Sequence, residues 1–146
     1  MIPECIAVEE NWRTVTKDDA EETEELSEEL RSMTRVFDLW DEIGATGGTI
    51  WVGGKLIAFT FGCPVTDKVF DVCVEKADTA YEGAFSIINQ EFARHLPEQY
   101  EYINREEDLG LEGLRYAKLS YKPDILLEKS VVMEKYPLAQ EETQER

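Results

Sequence analysis

The residues best suited to move a proton lie together at Glu106, Glu107 and Asp108, followed along the chain by the phenols Tyr116 and Tyr121. A carboxylate whose pKa is raised by its neighbours can take a proton from an attacking hydroxyl or amine, and a phenol can return one to a leaving group. Glu107, Asp108 and Tyr121 are therefore the candidate catalytic groups. The same residues have a plainer use. Asp108 is placed to cap a helix running to Leu119 with the glutamates in its first turn, and tyrosines near a helix end commonly sit at the edge of a core. Both readings stay open.

Four cations are candidates for holding an anion. Lys76 ends a strand, where open α/β sheets bind their ligands, although a solvated lysine fits the same place. Arg115, Lys118 and Lys122 recur at i, i+3 and i+7, so they line one side of the last helix if that helix extends almost to Pro123. No acid occurs between Leu114 and Lys122. Arg115 would then give a phosphate the bidentate contact that lysine cannot, or all three simply complement the helix dipole. His95 has no second histidine or nearby cysteine pair, so no metal site is expected. Cys5, Cys63 and Cys73 lack paired spacing and read as reduced thiols, the last two as small apolar members of strands.

The net charge of the 146 residues is -17, and the acids between Asp18 and Glu29 supply eight of those negatives. Such a body repels nucleic acid and anionic lipid, so non-specific binding to either is not expected and any anion site must be local. No apolar run reaches the roughly 20 residues of a membrane span. The opening Met1-Ile2-Pro3-Glu4-Cys5 has neither the basic start nor the apolar stretch of a signal peptide, which places the chain in the cytoplasm.

The elements that must position these groups follow from hydrophobic periodicity. Residues 1–15 read as an arm or an edge strand. Leu26, Leu30, Met33, Phe37 and Trp40 make one stripe on a helix over residues 18–42. Two β-branched and aromatic runs flank Gly53-Gly54-Lys55 and predict a hairpin, and residues 69–75 form a strand with Phe70, Val72 and Val74 on one face. A helix over residues 80–96 ends before Pro97, a short strand covers 100–103, a helix covers 108–119, and two last strands cover 124–127 and 131–133. The fold class is α/β (α+β), a mixed sheet of about five to seven strands flanked by helices. Residues 16–136 make one domain, and residues 137–146 a disordered acidic tail.

Three segments carry a family resemblance: residues 48–62 around Gly53-Gly54-Lys55-Leu56-Ile57-Ala58-Phe59, residues 74–92, and residues 102–123 with the block Asn104-Arg105-Glu106-Glu107-Asp108-Leu109-Gly110. Over roughly residues 44–129 the sequence resembles largely uncharacterised bacterial relatives of the phosphatidylglycerol lysyltransferase C-terminal domain. The resemblance implies a GNAT-like fold, whose members typically carry two such domains in tandem, this chain resembling the second. In the lysyltransferases the domain moves an aminoacyl group from tRNA to a lipid hydroxyl, with the substrates meeting between the paired domains. It therefore implies an acyl or aminoacyl transferase with aminoacyl-tRNA as donor. Asn104 and Arg105 are further candidate anion or substrate contacts, but the better-studied lysyltransferases do not share this Asn-Arg-Glu-Glu-Asp block, so their catalytic residues do not transfer to it by position.

One half alone departs from the tandem pattern. The alternatives are a non-catalytic half or interaction module that needs a second GNAT-like domain or a homodimer, and an acetyl-CoA-dependent N-acetyltransferase. An ordinary acetyl-CoA-dependent GNAT holds the pyrophosphate on a glycine-rich turn after its central strand. Here that stretch, residues 78–84, has one glycine and two acids, so acyl-CoA is disfavoured and an anionic small molecule, a lipid or aminoacyl-tRNA is the expected partner.

Overall fold

The computed structural model describes residues 1–16, 23–107 and 110–133. They fall into two compact units, Met1–Glu107 and Asp108–Arg146, which are taken one at a time. The first contains α1 (Ile2–Thr16), α2 (Thr23–Asp38), β1 (Thr46–Val52), β2 (Lys55–Pro64), β3 (Val69–Ala77), α3 (Ala84–His95) and β4 (Tyr102–Asn104). The second contains α4 (Glu112–Ser120).

The start of the chain is a helix, not an arm or edge strand. Its buried face is Cys5, Val8 and Glu9, a stripe too short and too polar to register as amphipathic in the sequence. Packing decides it, because Cys5 and Val8 join Met33 of α2 and Leu56, Phe59 and Phe61 of β2 in one apolar cluster. The stripe behaves as its spacing predicts, although α2 ends at Asp38 and not at residue 42: Leu30, Met33 and Phe37 of the helix and Trp40 in the turn after it all line this cluster. Residues 18–22 of the expected helix lie outside the described residues.

β1 and β2 form the expected hairpin, closed by Gly53 and Gly54 at φ 57° and 80°. Two consecutive left-handed residues make the turn whose twist matches that of paired strands. Among the described residues the sheet has four strands in the order β1-β2-β3-β4, antiparallel except for the parallel pair β3–β4. That is fewer than the five to seven expected, and residues 124–127 and 131–133 are not strands. Their β-branched composition suits a strand, but a strand needs a neighbour to pair with.

α1 and α2 cover one face of the sheet and α3 the other. On the α3 side, Ile57, Ala58 and Ala77 meet Ala84 and Ile88, while Phe70 and Val72 meet Phe92 and Leu96. The expected single apolar face of β3 is broken between Val72 and Val74. Phe61 pairs with Val74 but its neighbour Gly62 pairs with Val72, which leaves Cys73 unmatched as a β-bulge. The extra residue reverses the alternation, so Val74 packs with the α1–α2 cluster and not beside Val72.

Gly62 makes the bulge sterically feasible. A Cβ there would collide with the Asp71 carbonyl oxygen and stand 2.7 Å from the Phe70 ring. Gly62→Ala is expected to destabilise the protein by about 2–4 kcal/mol, since main chain cannot yield as a flexible side chain would. Urea unfolding of the two proteins measures it, and equal midpoints would show that the bulge tolerates a side chain.

Candidate functional site

The bulge coincides with the point where the sheet opens. β4 pairs with β3 only at Val69↔Tyr102, Phe70↔Ile103 and Asp71↔Asn104, and the two parallel strands then part. Crevices beyond the carboxyl ends of parallel strands are where such sheets place ligands, and bulges re-aim side chains beside active sites. Past Cys73, Lys76 turns to the α1–α2 face and Glu75 to the α3 face.

Lys76 is 8% exposed, and its ammonium is held from three sides. Nζ lies 3.1 Å from Glu29 Oε1, 3.5 Å from the fully buried Glu9 Oε2, and 3.8 Å from the centre of the Trp12 ring. Two carboxylates and an aromatic face from both helices thus neutralise a charge that burial would otherwise penalise heavily. The expected anion contact at the strand end is built as a link between α1, α2 and β3.

On the opposite face Arg105 grips Glu75 with both prongs, at 3.0 and 3.3 Å. The Asn89 carboxamide of α3, with its oxygen turned to the guanidinium, accepts at 2.8 and 3.0 Å. The fork holds the segment after β4 against β3 and α3 across the gap the strands leave. Asn104 ends β4 and accepts the Glu106 N–H on Oδ1 at 2.9 Å, a side-chain turn that accompanies a left-handed Glu106 at φ 58°. Arg105 and Asn104 therefore come together, and Glu107 follows at the end of the first unit.

The turn after β3 is organised by the Asp78 carboxylate. It accepts from Lys55 Nζ at 2.7 Å and from the Ala80 N–H at 3.0 Å, while its carbonyl accepts the Tyr81 N–H at 3.1 Å. The Ala84 N–H in turn donates to the Tyr81 carbonyl at 3.2 Å. The Ala80, Tyr81 and Ala84 amides are thereby bonded within the turn, around a negative charge. The Lys55 bond, then the Ala80 bond, hold the Asp78 carboxyl below its ordinary pKa, and Asp78 holds Lys55 above its own. Beside this turn a groove of about 460 Å³ runs between α1 and the hairpin, lined by Ala7, Asn11, Trp51, Lys55 and Asp78 among others.

At the bulge itself the Cys73 thiol donates to Asp71 Oδ2 at 3.5 Å. Burial first, then the neighbouring Cys63 and Asp71, push its pKa up to about 12, which makes it an inert nucleophile near neutral pH.

The second unit carries Arg115 and Lys118 on α4. Lys122 does not extend their stripe. α4 ends at Ser120, Tyr121 is its C-cap, and Lys122 takes φ 52° while its N–H bonds the Leu119 carbonyl at 2.9 Å. A left-handed residue just past the cap closes a helix, and Pro123 behind it excludes continuation. Asp108 lies outside the described residues, and the N-cap of α4 is Leu111, three positions later than expected.

Glu9, Trp12, Glu29, Glu75, Asn89 and the bulged Cys73 were not legible as site residues. One signal was present: Gly62 interrupts an otherwise aromatic and β-branched strand, which commonly marks a bulge.

The family model of the phosphatidylglycerol lysyltransferase C-terminal region matches residues 1–133. A Bacteroides thetaiotaomicron protein of unknown function is 48% identical with a TM-score of 0.78, the match covering 86% of this chain and 42% of that one. This chain therefore spans less than half the length of that relative. A Clostridium difficile protein described as a possible acetyltransferase is 12% identical with a TM-score of 0.59, over 94% of this chain and 93% of that one, a likeness of fold alone. No curated protein matches.

Two outcomes are expected from the pairs described. Lys76→Met leaves Glu9 buried beside an apolar side chain and should cost about 3–5 kcal/mol, while Lys76→Met with Glu9→Gln should recover part of that loss. Denaturant unfolding of both variants measures this, and no recovery in the double variant would remove the coupling. The Asp78 pair contributes stability that is present above the ordinary carboxylate pKa and is lost as pH falls through the lower folded value. Asp78→Asn should therefore flatten the acid limb of melting temperature against pH, roughly below pH 4.

Proposed function

Because the chain belongs to the phosphatidylglycerol lysyltransferase C-terminal family, we propose that it is a transferase domain that takes its acyl group as an aminoacyl ester of tRNA and not from acyl-CoA. Its GNAT-like fold supplies the framework: a mixed sheet, helices on both faces, and a turn leading from a central strand into α3.

The observation that carries the choice of donor is the Asp78 turn. A diphosphate cradle needs outward N–H groups and close backbone approach. Here the buried Asp78 carboxylate takes the Ala80 N–H and anchors Lys55, and the Tyr81 and Ala84 amides bond within the turn, so three of its amides are already engaged around a negative charge. Such a turn suits a donor whose recognition does not depend on a diphosphate at this position.

The roles follow the chemistry of aminoacyl transfer. A carboxylate, Glu107 or Asp108, takes the proton of the attacking hydroxyl; the new ester bond forms as the bond to the tRNA ribose oxygen breaks; and a phenol, Tyr121, protonates that oxygen. Asn104, Arg105, Arg115, Lys118 and Lys122 remain the proposed contacts to anionic substrate groups, and Lys76 is one that a ligand reaches only by displacing Glu9 and Glu29. In a chain of net charge -17 such contacts must act locally.

A second reading has an observation of its own. The chain covers 42% of its Bacteroides relative, so a binding half that relies on a partner GNAT-like domain fits the match as well. Activity with and without that partner half separates the two readings.

Calorimetric titration with acetyl-CoA is expected to show no saturation in the micromolar range, whereas aminoacyl-tRNA should bind with a clear salt dependence. Saturable micromolar acetyl-CoA binding would overturn the assignment of donor. Arg115→Ala with Lys118→Ala should weaken tRNA binding and reduce the salt slope by about one to two, as expected for the loss of two phosphate contacts. Unchanged affinity and slope in a folded variant would return both residues to the helix dipole.

A further inference from the structure

The carboxylates of Asp71 and Glu106 and the thiol of Cys73 converge at the bulge, with one donor atom from each lying within 4.8 Å of the others. They come from separate places in the chain: two from β3 on either side of Val72, and one from the turn after β4. Cys63 of β2 is the cross-strand partner of Asp71, and it brings a second thiol close enough to Cys73 to perturb it.

The distances suit one kind of ion. A sulfur and an oxygen bound to the same tetrahedral zinc, at about 2.3 and 2.0 Å, stand about 3.5 Å apart. Cys73 Sγ and Asp71 Oδ2 are 3.5 Å apart. The Glu106 carboxylate, within 4.8 Å of both, must draw in by up to about 1.5 Å, and Cys63 must turn toward the same point, movements within the reach of side-chain rotation. Two thiols exclude calcium and magnesium, which take oxygen ligands, and two carboxylates suit zinc better than a softer ion such as Cu(I). We propose that Asp71, Cys73 and Glu106, with Cys63 as fourth ligand, form a zinc site that clamps the turn after β4 to the bulge of β3.

The site lies where β3 and β4 part, so the ion fixes the opening from the face opposite the Arg105–Glu75 fork. It is independent of the identity of the acyl donor.

The test uses the reduced full chain titrated with Co2+ as a spectroscopic stand-in and with Zn2+ against a chromophoric chelator. One equivalent of Co2+ should produce a thiolate-to-cobalt charge-transfer band that Zn2+ abolishes. Cys73→Ser and Cys63→Ser should each weaken the band by about half with the circular dichroism unchanged, the two together should remove it, and Cys5→Ser should leave it intact. Glu106→Gln, at an exposed position, should lower Zn2+ affinity at least tenfold with the circular dichroism unchanged. The proposal is overturned by the absence of a thiolate band at excess Co2+, by a band of undiminished intensity in Cys73→Ser, or by equal Zn2+ affinity in Glu106→Gln.

Discussion

One extra residue in β3 governs how this domain is arranged. Without the bulge at Cys73, strict alternation would carry Lys76 to the α3 face and Glu75 to the α1–α2 face. Lys76 would then lose Glu9, Glu29 and Trp12, and Arg105 would lose Glu75. The two buried charge networks that fasten helices to opposite faces of the sheet both follow from that inserted residue. The bulge in turn rests on Gly62, because only a residue without Cβ allows the β3 main chain to approach β2 so closely.

The pattern of charge in the first unit is of cations matched to carboxylates from distant parts of the chain. Lys55 meets Asp78, Lys76 meets Glu9 and Glu29, and Arg105 meets Glu75. In an acidic protein these pairs have a double consequence. They hold elements together where desolvation makes breaking them costly, and they commit positive charge that an anionic ligand would otherwise recruit. An anion entering here must compete with carboxylates already in place.

The turn after β3 keeps the framework of the fold with hydrogen bonding of its own. The strand, the turn and the following helix are all present, yet Asp78 spends the turn's hydrogen bonds internally. The likeness, over nearly the whole chain, to a protein described as a possible acetyltransferase is a likeness of framework, and the site must be argued from its own residues.

Periodicity was sufficient for α2, the Gly53-Gly54 hairpin, β3, α3 and the termination before Pro97, since each depends on local spacing and backbone chemistry that the sequence displays directly. The paucity of glycine in residues 78–84 was likewise readable. Other features depended on partners far apart in the chain. α1 became a helix because Cys5 and Val8 found the α2–β2 cluster, and residues 124–133 did not become strands although their composition favours them. The path of Lys122 turned on a helix ending that the i, i+3, i+7 count could not foresee. The grouping of Lys76 with Glu9 and Glu29, of Arg105 with Glu75 and Asn89, and of Cys73 with Asp71 and Glu106 was fixed only by tertiary structure, because a single-residue bulge reverses which side chains share a face and no spacing rule records it.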